Sequence, residues 1–307
     1  MSNNLSSSLT PEILSKTSSL KIRARTLVEG FLSGQHKSPH KGSSVEFAEY
    51  KAYSPGDDIR HIDWKAVGKT NKYHVKQFEQ STNLKCTIML DGSGSMAYES
   101  PNPKNQAINK MEYARTLAGA LSYLILNQFD AVGLTTFNDK TISHIPPRSK
   151  PSHFQHIVHD LENLIPLGVT RINQVINSIS EQILGRGMVI VISDFFARDD
   201  DLVKSLKLLS SRGLETVLFH ILHPDELTLP FEGDVVFESL EDDLAVGLDA
   251  YDIRDSYEAL IKEKINYYQN NFPSLGIDYV FFDTSQPLEQ GLNYYLLKRK
   301  SLQKWRS

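Results

Sequence analysis

Two apolar runs, Cys86 to Leu90 and Met188 to Ile192, each lead into an aspartate, and the chain around them alternates strand and helix patterning. Met188-Val-Ile-Val-Ile-Ser-Asp194 is apolar at consecutive positions, as a strand covered on both faces of a sheet must be. From Lys85 the predicted order is strand Cys86–Asp91, helix Lys110–Gln128, then strands Ala131–Phe137 and Lys140–Ile145. The last two flank an Asn138-Asp139 turn and read as a hairpin at a sheet edge. Helices at His153–Leu164 and Ile172–Leu184 precede strand Met188–Asp194, helix Asp200–Ser211 and strand Glu215–Leu222. A less regular stretch, 234–248, reads as a short hairpin. Helix Ile253–Asn271, strand Asp278–Asp283 and helix Pro287–Leu302 complete the series. Such alternation predicts an α/β fold: a doubly wound, mostly parallel sheet with helices on both faces.

Before Lys85 the rhythm differs. Residues 1–10 read as disordered. Leu14 to Leu32 has helical apolar spacing, and Gly34 to Ser44 reads as a flexible loop. The stretches 46–53 and 73–79 alternate like strands, and Ser54-Pro55-Gly56-Asp57-Asp58 is a turn signal. The expected organisation is therefore residues 1–84 as a small β-rich unit with one helix and 85–307 as the main domain. Residues 1–85 carry 13 Lys and Arg against 8 Asp and Glu, out of totals of 33 and 37. A basic section of this kind can touch nucleic acid or an acidic membrane surface. Its charges are spread out and lack an aromatic-rich motif, which favours a solvated surface docked on an acidic domain, with no nucleic acid expected. The 307 residues are 40% hydrophobic and 23% charged, ordinary values for a globular protein. The polar N-terminus shows no secretory signal. The longest apolar stretches fall short of the ~18 residues of a membrane span. Cys86 is the only cysteine, so an intrachain disulfide or a Cys-cluster metal site is excluded. The expectation is a cytoplasmic protein without a transmembrane segment.

The chemistry concentrates in Met89-Leu90-Asp91-Gly92-Ser93-Gly94-Ser95-Met96. In open α/β sheets ligands bind at the carboxyl ends of strands, where this turn lies. One carboxylate and two hydroxyls form a hard, all-oxygen cluster suited to a small divalent cation. The same residues also suit an Asx- or Ser-rich turn that caps the next helix, and on this motif alone the two readings stand level. Asp194 ends the second strand at the same predicted rim. Between them, Leu167-Gly168-Val169-Thr170-Arg171 places Thr170 just before a helix. Its hydroxyl can cap that helix or face a metal shared with the aspartates, and the two roles are compatible.

Asp91-x-Ser93-x-Ser95, Thr170 and Asp194 together resemble the metal-ion-dependent adhesion site of von Willebrand factor type A domains, over about residues 84–302. The resemblance implies that Ser93, Ser95 and Thr170 ligate directly or through water, with Asp91 and Asp194 holding the cation partly through water. Mg²⁺ suits such a set, with Mn²⁺ or Ca²⁺ as alternatives. A Glu or Asp of a partner protein then completes the shell, which is ligand capture rather than turnover. Val45-Glu46-Phe47 and Tyr53-Ser54-Pro55-Gly56-Asp57-Asp58-Ile59-Arg60-His61-Ile62-Asp63-Trp64 are similar to the signature of the bacterial and archaeal family called domain of unknown function 58. That likeness implies partnership with an AAA+ ATPase of the MoxR type in assembly or maturation of a complex. The Tyr53 to Trp64 segment itself is either a structural anchor or a surface that partners read.

The expectation is thus a non-enzymatic interaction module. The rival is a Mg²⁺-dependent hydrolase, a phosphoesterase using the same acidic cluster, though no obvious general base accompanies it. Gly68-Lys69-Thr70 lacks the first glycine and the following helix of a phosphate-binding loop. In Gly92-Ser93-Gly94-Ser95, Ala97 stands where a nucleophile elbow needs its last glycine. His36 and His40 lie in a basic loop. His153, His156 and His159 read as a solvated helix face, and His220 and His223 as structural.

Overall fold

The computed structural model describes residues 19–35, 47–52, 74–78, 84–102, 107–183, 185–196 and 199–306. The predicted disordered residues 1–10, the Tyr53 to Trp64 segment, Gly68-Lys69-Thr70, His36 and His40 lie outside these. Two compact units are separated, residues 34–83 and the remainder. In the smaller one, β1 (Phe47–Ala52) pairs antiparallel with β2 (His74–Phe78), with a register break between Phe47 and Glu49.

The larger unit holds α1 (Leu20–Gln35) up to Ser33; the helix's last residues, Gly34 and Gln35, were expected to be loop and fall in the smaller unit. The larger unit's sheet is built from β3 (Lys85–Asp91), β4 (Ala131–Phe137), β5 (Thr141–Arg148), β6 (Gly187–Ser193), β7 (Leu214–Leu222) and β10 (Ile277–Asp283). Their order across the sheet is β10-β7-β6-β3-β4-β5. All pairs are parallel except β4 with β5, the expected antiparallel edge hairpin. This is the doubly wound, mostly parallel arrangement the alternation predicts.

Side chains on the two faces of each strand feed separate cores, as a period of two requires. Cys86, Ile88, Leu90, Ile190 and Ile192 join one core. Three helices cover it beside α1: α2 (Lys110–Asn127), α3 (His153–Asn163) and α8 (Leu288–Arg306). Met89, Val189 and Val191 point to the other face. That face is covered by α4 (Ile172–Gln182), α5 (Asp199–Ser211) and α7 (Ala250–Asn271). Helix α1 buries Leu20, Ala24, Leu27 and Val28 in the first core and pairs Arg23 with Glu112 at 3.0 Å.

Two small elements complete the larger unit. A five-residue helix, α6 (Pro224–Thr228), was not foreseen; His223 and Glu226 form its capping box. The irregular 234–248 stretch is a hairpin, β8 (Asp234–Glu238) with β9 (Ala245–Asp249).

Candidate metal centre

β3 and β6 are the neighbouring strands from which the chain winds in opposite directions, so a crevice opens at their carboxyl ends. Register pairs Leu90 with Ile192. Asp91 therefore meets the Ser193-Asp194 end of β6. The buried Asp91 carboxylate accepts three hydrogen bonds: from the Ser93 N–H at 2.9 Å, the Ser193 hydroxyl at 2.6 Å and the Thr170 hydroxyl at 3.1 Å. Ser93 Oγ and Ser95 Oγ stand 3.1 Å apart.

Backbone bonds fix this loop from both sides. Gly92 N donates to Phe137 O at 2.6 Å, Leu167 N to Gly92 O at 2.9 Å and Gly94 N to Gly168 O at 2.8 Å. Gly168 supplies the left-handed turn this needs, at φ +81°. Thr170 does not cap α4. Arg171 occupies the position before that helix and makes no side-chain cap, while the Thr170 hydroxyl turns to Asp91 instead. All five residues singled out by sequence thus gather at one rim.

Asp194 brings a group that the sequence reading passed over. Lys110, at the first position of α2, is fully buried and places Nζ 2.8 Å from Asp194 Oδ2 and 2.5 Å from Glu226 Oε1. The Phe196 ring lies 5.3 Å from the same ammonium. A lysine at a helix N-terminus opposes the macrodipole, and that misplacement was its only signal in sequence. Ser193 lay within the strand stretch Met188 to Asp194 and was not singled out as a site residue. Glu226 was hidden in an element too short to show periodicity.

The electrostatics follow from burial. Burial raises the Asp91 carboxyl to about 6 and the neighbouring Asp194 charge adds to this, against the hydrogen bonds from Ser193 and Ser93. Burial acts the same way on Asp194, but the Lys110 ammonium wins and holds that carboxyl below its ordinary value. Lys110 in turn is raised, its two carboxylate partners outweighing burial. Phe195, between Asp194 and Phe196, has φ +48°. That left-handed backbone costs about 1–2 kcal/mol. Packing of its ring edge-on against His220 and Tyr268 offsets the cost.

The donor set suits a small hard cation. Magnesium–oxygen distances of roughly 2.0–2.1 Å put adjacent octahedral ligands about 3 Å apart. The Ser93–Ser95 and Thr170–Asp91 oxygen pairs, each at 3.1 Å, have that spacing. Among the described residues no group of three His, Cys, Asp or Glu is placed to hold an ion, so an ion here would draw on hydroxyls as well as carboxylates. Of the histidines, His220 lies beside the rim, in register with Ser193 and packed against Phe195. His153, expected on a solvated face, is buried with Nε2 2.9 Å from Val132 O, whereas His156 and His159 are exposed. His220 pairs with the Tyr279 hydroxyl at 2.7 Å, and His223 caps α6.

Fold and rim together define an α/β protein with a carboxylate–hydroxyl centre at its topological switch point. The chain belongs to the family described as "Protein of unknown function DUF58", which matches residues 49–266. An uncharacterized protein of Mycobacterium tuberculosis (strain H37Rv) is 25% identical over 234 residues, 75% of this chain and 72% of that one. Among solved structures, the chain is similar to the conserved hypothetical protein BatB from Bacteroides thetaiotaomicron. Identity there is 18%, the TM-score 0.45, and coverage 71% of this chain and 99% of that one. For the SpRpn10 VWA domain the values are 15%, 0.41, 69% and 94%. Among the described residues, no helix is long and apolar enough to cross a membrane.

Proposed function

We propose that this protein is a non-enzymatic, divalent-cation-dependent protein-interaction module of the cytoplasm. In this reading Asp91, Ser93, Ser95 and Thr170 hold the ion, with Asp194 behind them on Ser95 and Lys110. Mg²⁺ is the preferred cation. When bound, it supplies a positive centre that a partner's Glu or Asp can engage. The protein's own residues fix the hydroxyls and keep their carboxylates dry. The partnership implied by family resemblance, an AAA+ ATPase of the MoxR type acting in assembly or maturation of a complex, belongs to the same proposal.

The convergence of four hydroxyl and carboxylate donors at the switch point carries the reading. The surroundings favour docking over turnover. Ile165, Leu167 and Val169 precede Thr170 and are 77%, 70% and 42% exposed, and Leu240 and Leu244 reach 50% and 68%. Exposed apolar side chains grouped beside a site favour protein docking there. A hydrolase needs a base free to take a proton, whereas Asp91 and Asp194 are each engaged by fixed donors.

Titration calorimetry with Mg²⁺ and Mn²⁺ tests the centre. One saturable site per chain, lost in Asp91→Ala and Thr170→Ala, is the expected result; no saturable site in the wild type would overturn it. Co-purification of a co-expressed MoxR-type ATPase should then fail with chelator and with Asp91→Ala.

A further inference from the structure

The hairpin β8–β9 reaches back to the candidate metal centre, and its tip carries an acid. Glu241 Oε2 accepts from the Thr170 N–H at 3.2 Å. The other oxygen, Oε1, is shielded from solvent and has no hydrogen-bond partner. The remainder of the tip faces outward: Leu240, Asp242, Asp243 and Leu244 are exposed. A carboxylate oxygen shielded from water and left unpaired is unfavourable unless something compensates it.

The approach is close enough to be built in. Leu240 O lies 1.9 Å from where a Cβ at position 94 would stand, so only glycine in the Asp91–Ser95 loop admits the hairpin. The tip is shaped to hold the acid. Ser239 Oγ accepts from both Glu241 N and Asp242 N at 3.2 Å, and Asp242 Oδ1 accepts from Leu244 N at 3.3 Å.

We infer that Glu241 is an intrinsic ligand of the metal centre, presented in cis by the β8–β9 hairpin where a partner's carboxylate would otherwise bind. This rests on the adhesion-type reading above and names its first occupant. The unpaired Oε1 is the atom that would meet the cation. A partner's acidic residue must then displace Glu241 and move the hairpin tip off the Gly94 backbone. The site is therefore self-closed until a partner competes for it.

The test uses Mn²⁺ alone on the full chain, read by titration and by water-proton relaxation, which counts the waters on the ion. Glu241→Ala should weaken Mn²⁺ binding about tenfold or more, the range for losing a group that supports a metal site. It should also add one bound water, which acetate then displaces. Asp243→Ala, one exposed tip acid further on, should leave affinity and hydration at wild-type values. If the wild type binds Mn²⁺ and Asp91→Ala abolishes it while Glu241→Ala changes neither affinity nor hydration, the intrinsic ligand is refuted and the adhesion-type reading stands. Absence of saturable Mn²⁺ binding in the wild type overturns both. The tip is exposed and outside the core, and matching unfolding curves for the two alanine variants establish that they fold.

Discussion

Replacing Lys110 by Met separates the structural role of its ammonium from the chemistry of the rim. Nζ lies 2.8 Å from Asp194 Oδ2, a carboxylate with no exposure, and 2.5 Å from Glu226. At an effective dielectric of about 20, the attraction to Asp194 alone is about 6 kcal/mol. Burying the ammonium costs several kcal/mol. Removing it spares that cost but leaves two carboxylates with no counter-charge at that position. Breaking such a buried pair costs about 3–5 kcal/mol net, a large share of the roughly 5–15 kcal/mol that holds a domain folded. Urea unfolding followed by circular dichroism should show that loss as a lower midpoint, and a thermal scan a fall of about 6 to 20 °C. The triple variant Lys110→Met, Asp194→Asn, Glu226→Gln removes all three charges and should recover most of it, because an apolar or neutral replacement of a buried ion triad is often neutral. A loss below about 1 kcal/mol in the single variant, or a triple variant no more stable than the single, would refute the reasoning.

Other buried groups lead to three more expected outcomes. His220 is pushed down from 6.5 to about 3, first by burial and then by Lys264 and Lys110 against the opposing Asp194. The unfolded chain then binds a proton that the native state refuses. Stability is therefore lost as pH falls through 6.5, by about 2 kcal/mol between pH 7.5 and 5. His220→Phe should lack that component, and denaturation curves of the two proteins that shift in parallel with pH would sink the claim. Burial pushes the Cys86 thiol up to about 12, so a disulfide reagent at pH 8 should label it only after urea unfolding; rapid labelling of the native protein contradicts this. Gly94→Ala forces Leu240 off the Asp91–Ser95 loop. It should increase proteolytic cleavage at the hairpin tip while the core unfolds as in the wild type, and an unchanged cleavage rate would show that the contact is dispensable.

The sheet was readable because its strands are long, apolar and buried on both faces. Cys86–Leu90 and Met188–Ile192 admit few alternatives, and the aspartate at the end of each strand marks a rim. Errors fell where local pattern and tertiary role diverge. His153 lies on a helix with polar neighbours, yet it turns inward to a strand carbonyl. Of the two roles open to Thr170, its hydroxyl takes the one toward Asp91 and leaves the helix uncapped. Lys110 drew no notice beyond opening a helix, because its partners lie 84 and 116 positions away. Glu241 sits in a stretch with no periodicity, where only the folded chain brings it to Thr170.

Charge balance connects Lys110, Glu226 and Glu241 to the motif that was visible from the start. Thr170 links the carboxylates of Asp91 and Glu241, while Lys110 is spent on those of Asp194 and Glu226. Asp91 keeps hydroxyl and amide donors, and burial, with the Asp194 charge beside it, raises its carboxyl to about 6. Glu241 keeps one amide and one unpaired oxygen. The deficit is thus confined to Asp91 and Glu241, on either side of Thr170, and a divalent ion carries the charge that would close it. By engaging Asp194, Lys110 also keeps that carboxylate from the proposed ion. In the proposed reading, a centre of one carboxylate, three hydroxyls and a displaceable glutamate would hold a cation loosely enough to share it with a partner. On this reasoning Lys110→Met should tighten Mn²⁺ binding even as it destabilises the fold, and weaker binding in that variant would show that Lys110 supports the ion site rather than restrains it.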